Sequence, residues 1–188
     1  MKYAIAYWAG ALLLLWAAAT WANEYTDTVA LFRNAGDSGR FFDHSYGYAV
    51  FPTVGKAGWI VGGAHGSGRV FEHGKCVGDT SMNQLSAGWQ LGAQAYSQIV
   101  FFEDRRAFEE FTRGNFEFGA DMSAVAITAA AGGSLGTSGA SGSASGGMKD
   151  ARTVGKYYKG MAVFTIVKGG AMYQVVVAGQ KFSYSPAA

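Results

Sequence analysis

The chain has 188 residues, 49% of them hydrophobic and 15% charged, with a formal net charge of +2. So small a charge provides no global basic field to draw the protein to nucleic acid. A lone cysteine, Cys76, cannot close an internal disulfide, so stability has to come from packing.

The first stretch, MKYAIAYWAGALLLLWAAATWA, carries one positive charge at Lys2, then an apolar run, then small residues before Asn23 and Glu24. That layout predicts a cleaved signal peptide over residues 1–22 and a periplasmic or secreted protein. An uncleaved anchor fits less well, because the run falls short of the roughly 20 residues of a membrane span. No cysteine stands at the junction to accept a lipid. Residues 23–188 are long enough for a single domain with its own core.

Tyr25, Val29 and Phe32 recur at helical spacing and predict a short amphipathic helix over Asn23–Arg33. SGRFFDHSYGY after it reads as a helical turn or loop. From Tyr46 the period changes to two. Pro52 ends a first short strand, Gly55–Gly58 reads as a turn into a strand over Trp59–His65, and Gly66–Gly68 as a turn into Arg69–His73. A further turn at Gly74 and Lys75 completes a hairpin series. In QLSAGWQLGAQA, residues 84–95, apolar and polar or glycine positions alternate strictly, which predicts one long strand bent at Gly88 or Gly92.

EDRRAFEEFTRG, residues 103–114, predicts a helix with Glu103 or Asp104 as its cap, Ala107, Phe108 and Phe111 as its buried stripe and Gly114 as its stop. FEFGADMSAVAITAAAGG returns to strand character, and residues 133–148 are a low-complexity Gly/Ser/Ala stretch that reads as a flexible loop. Strands over Lys159–Val167 and Ala171–Ala178, joined through Lys168, Gly169 and Gly170, close the chain. The expected fold is α+β and predominantly antiparallel β, a twisted or barrel-like sheet with a short N-terminal helix and one helix packed on it.

The glycines invite two nucleotide readings, and both fail. Gly63, Gly66 and Gly68 are in the wrong order for a dinucleotide fingerprint and lead into RVFEHG, which is not helical. Gly68 and Gly74 are separated by five residues, and Cys76 follows Lys75 where a Walker loop needs a hydroxyl residue. GGSLG places Ser134 as a formal nucleophile, but no helix follows it and His44, His65 and His73 all precede it. His65 and His73 lack further ligands at tight spacing, so no metal site is expected. Glu109 and Glu110 pair with Arg105 and Arg106 at helical spacing. No cofactor or catalytic set is implied, and a non-enzymatic protein is expected.

Surface charge remains. Residues 23–148 hold 8 Lys/Arg against 12 Asp/Glu, whereas residues 149–188 hold 6 against Asp150 alone. Lys56, Arg69, Lys75, Arg152, Lys156, Lys159 and Lys168 are the candidates for contact with phospholipid head groups, several beside aromatics such as Tyr157 and Tyr158. The plainer reading is that they keep sheet edges soluble.

GYAVFPTVGKAGWIVGGAHGSGRVF, SAGWQLGAQAYSQIVFF and AFEEFTRGNFEFGADMSAVA together resemble the SYLF domain family, which includes bacterial secreted members and yeast actin-binding proteins. The resemblance is close over residues 46–130 and looser through KYYKGMAVFTIVKGG. It implies a compact, largely β domain that binds phospholipid surfaces through basic residues and an amphipathic N-terminal helix, without enzymatic activity. Lys56, in the GKAG step, falls in the family motif and is carried over as a candidate head-group contact. The chain departs from eukaryotic members in its leader, in lacking SH3 or FYVE partners, and in the low basic charge of its first helix, where Arg33 faces Glu24 and Asp27. The alternative function is an envelope scaffold or stress protein that binds a protein partner.

Overall fold

The computed structural model describes residues 24–35, 38–58, 61–87, 92–119, 122, 127–130, 157–170, 177 and 179–187. Helix α1 covers residues 24–33, α2 Phe41–His44 and α3 Arg105–Thr112. The strands are β1 Gly47–Gly58, β2 Val61–Glu72, β3 Lys75–Ala87, β4 Gly92–Phe102, β5 Phe116–Glu117, β6 Ile127–Ala130, β7 Met161–Gly170 and β8 Gln180–Pro186. They form one eight-stranded sheet in the order β5-β8-β3-β2-β1-β4-β7-β6, antiparallel except for β6 with β7.

Period-two alternation gives the central strands two apolar faces, and the sheet buries both. Tyr48, Val50, Ile99, Phe101, Phe164 and Ile166 face one side, where Phe32 of α1 and Phe41 of α2 cover them. Phe51, Val54, Val70, Met82, Tyr96, Phe102 and Phe182 face the other, with Phe108 and Phe111 of α3 packed among them. This second face is concave. Gln98 on β4 and Gln180 on β8 exchange hydrogen bonds of 2.8 and 3.1 Å although three strands lie between them in the sheet. Strands about 4.8 Å apart place β4 and β8 about 19 Å from each other along the sheet, so these side chains meet only because it curls into a half-barrel.

Local chemistry explains the ends of several elements. The Asp104 side chain accepts from the Ala107 N–H at 2.8 Å, the N-cap of α3, and Gly114 follows the helix at φ 91°. His73 and Gly74, at φ 48° and 79°, form the two-residue turn between β2 and β3, which needs positive φ at both places.

Three expectations are corrected. Glycine-rich steps at residues 55–58 and 66–68 lie inside continuous strands. A Cβ on Gly68 would meet the Phe51 ring at 2.6 Å, so glycine there makes room for a core aromatic of the neighbouring strand and makes no turn. The alternating stretch 84–95 is divided between β3 and β4, with β2 and β1 between them in the sheet. The predicted turn at residues 168–170 is the end of β7, and β8 was not foreseen. The Gly/Ser stretch 133–148, the strand expected over 171–178 apart from Val177, and the leader fall outside the described residues. Among the described residues no helix is long and apolar enough to cross a membrane.

Candidate functional site

The described basic residues chosen from sequence do not converge. Arg152 and Lys156 lie outside the described residues. Lys75 is exposed at the turn that begins β3. Lys159, at φ 51°, sits in the turn before β7 with its ammonium 5.3 Å from the Tyr158 ring centroid. Lys168 is exposed near the far end of β7 and donates to Thr53 Oγ1 at 3.0 Å, and Thr53 in turn donates to Glu24 at 3.0 Å.

Lys56 is the largest departure. Expected in a turn at the rim, it stands in β1 and is 5% exposed. Between Phe51 and Val54, β1 carries one residue more than β4 opposite, a bulge at Pro52. Proline has no N–H to pair, and its carbonyl accepts from Ser97 Oγ at 2.7 Å. The extra residue reverses the alternation, so Val54 and then Lys56 turn to the concave face. Burial alone holds the Lys56 ammonium below its ordinary pKa.

Arg69 lies on the convex face at the middle of β2. Its guanidinium sits 4.5 Å from the Tyr25 ring of α1 and 3.6 Å from Asp79 on β3. Burial raises the pKa of the Tyr25 hydroxyl, an effect that neighbouring Arg69 opposes. Beside them runs a groove of about 440 Å³ floored by Ser67, Ser81 and Ser183, aligned across β2, β3 and β8.

Two further cations share this side of the molecule, and neither was among the candidates chosen from sequence. Arg33 lies over the Phe42 ring at 4.4 Å, and Arg40 is 5.6 Å from the Phe41 centroid. Phe42 packs edge-on against Tyr48, which stacks on Phe71. Leu31 on α1 is 41% exposed. Three guanidiniums packed on aromatic rings make this side of the molecule the candidate interface. The adjacent Phe41 and Phe42 were the available signal; the bend that brings them over the sheet was not.

A curled antiparallel sheet with short helices on its convex face, one helix at its concave face and arginines stacked on aromatics defines a β-rich binding domain. The chain belongs to the Ysc84 family, described as Las17-binding protein actin regulator, which matches residues 83–185. This bears out the SYLF resemblance. The chain is also 27% identical over 164 residues to Beta cell expansion factor A of Aeromonas veronii, a match covering 85% of this chain and 54% of that protein. It therefore spans about half the length of that curated relative.

Proposed function

We propose that the protein is a non-enzymatic phospholipid-binding domain of the cell envelope, exported through a cleaved leader, that docks reversibly on anionic head groups. The observation that carries this reading is the convex-face layer: Arg33, Arg40 and Arg69 stacked on Phe42, Phe41 and Tyr25. A stacked guanidinium is weakly hydrated and its planar shape matches phosphate oxygens, while an exposed leucine suits the acyl boundary. Each basic residue near an anionic leaflet contributes about 1 kcal/mol, so the three together contribute roughly 3 kcal/mol, a little over a hundredfold in binding.

The test is co-sedimentation of the chain from Asn23 with phosphatidylglycerol vesicles and with phosphatidylcholine vesicles. Binding is expected to the first alone, to fall as salt shortens the Debye length, and to weaken by one to two orders of magnitude in R33Q/R40Q/R69Q. Failure to sediment at low salt overturns the reading. The family description favours a second one, docking on a protein partner. Cross-linking that recovers a protein while vesicles recover nothing selects it.

A further inference from the structure

Among the described residues the concave face holds one buried charge, Lys56, and no buried acid to balance it. Lys56 is 5% exposed, and no carboxylate among the described residues is buried. Across the sheet in register with Lys56 come Ala64 on β2, Gln84 on β3 and Gln180 on β8, all buried. Gln180 is engaged with Gln98 and also donates to the Tyr96 hydroxyl at 3.2 Å. Burial holds that hydroxyl well above its ordinary pKa, so Tyr96 stays neutral and supplies no anion. Val54, Ala64 and Met82 line the same face. Lysine is rarely buried this deeply unless it is paired, and among the described residues no hydrogen bond or ion pair is made to Lys56.

We propose that Lys56 is completed by a ligand, the single negative charge of one lipid molecule bound within the concave face. The inference rests on the lipid reading above and names the form in which lipid is held. Charge decides the class. One buried cation among neutral amides, a phenol and apolar side chains is neutralised by a monoanion, a fatty-acid carboxylate or a phosphodiester head, whereas a dianionic phosphate monoester would leave a buried negative charge. Position agrees with it. Lys56 is two residues from the end of β1 at Gly58, which places it near one end of the concave face instead of at its centre.

The test is calorimetric titration of the full chain with decanoate, short-chain phosphatidylglycerol, short-chain phosphatidylcholine and glycerol 3-phosphate. One equivalent of decanoate or phosphatidylglycerol is expected to bind at least tenfold more tightly than either control, and K56M to lose that preference. Binding of decanoate alone assigns a fatty acid, and of phosphatidylglycerol alone a phospholipid. No preference over the controls, or a preference that survives in K56M, overturns the proposal. If K56M does not fold, the side-chain ¹⁵N resonance of Lys56 in the unaltered protein gives the answer, because the proposal fails when neither anion shifts it. Vesicle sedimentation is expected to persist in K56M, so loss of the interior site and loss of convex-face docking are read separately.

Discussion

Replacing Gly68 by alanine tests whether the glycines of β2 exist to let the sheet close over its own aromatics. The new Cβ would stand 2.6 and 2.7 Å from two Phe51 ring carbons and 2.8 Å from the Val50 carbonyl oxygen. Phe51 is fully buried and packs on Phe182 at 5.7 Å between centroids, so the ring has nowhere to withdraw. Overpacking of this kind costs about 1–3 kcal/mol, and a backbone oxygen among the contacts places Gly68→Ala at about 2–3. For a chain of this size that lowers the thermal midpoint by roughly 4–12 °C. Gly55→Ala on the neighbouring strand is the control. Its Cβ would meet nothing within 4 Å, and a change of no more than about 0.5 kcal/mol is expected. Urea unfolding followed by circular dichroism, together with thermal melts, measures both. A Gly68→Ala protein as stable as the parent would refute the reasoning, as would a Gly55→Ala protein that falls equally far. Phe51→Leu should recover part of the loss when combined with Gly68→Ala, because the two residues share one contact.

Two other outcomes follow from the concave face. Gln98→Leu leaves the buried Gln180 Oε1 without its donor, although Gln180 Nε2 keeps the Tyr96 hydroxyl, and is expected to cost about 1–3 kcal/mol; adding Gln180→Met should cost less than the two single changes together, and an additive cycle in urea denaturation would show that the pair does not close the half-barrel. Lys56 has its pKa lowered in the folded state from an ordinary 10.5, so between the two values the unfolded chain holds a proton that the folded chain has released. Stability therefore rises with pH across that window, and its penalty is fully present below the folded value. The stability advantage of K56M over the parent should shrink as pH climbs towards 10.5; an advantage that stays constant in denaturant titrations counts against a buried ammonium.

Where structure depends on neighbours in sequence, the reading was sound. The cap at Asp104, the stripe of Ala107, Phe108 and Phe111 and the stop at Gly114 are local, and α3 forms as its pattern requires. The same holds for α1, whose Tyr25, Val29 and Phe32 lie on its packed face, and for the largely antiparallel β class. Glycine was the weak sign. Gly66 and Gly68 carry the composition of a turn, yet each faces a bulky side chain of β1 that lies twelve or more residues earlier, Val54 and Phe51. Nothing local distinguishes a glycine that bends the chain from one that admits a partner. The site suffered for the same reason: Arg33 read as a helix charge facing acids, and only the placement of α2 puts Phe42 beneath it.

The amino-acid order by itself determined the α+β class, the capped helix α3 and the period-two segments, because each follows from chemistry a few residues wide. Tertiary structure decided which way the charges point. One extra residue at Pro52, held by Ser97 from the adjacent strand, reverses the alternation of β1 and turns Lys56 from the rim into the interior. Side-chain direction in a strand is a matter of parity, and parity is counted only once a partner strand sets the register.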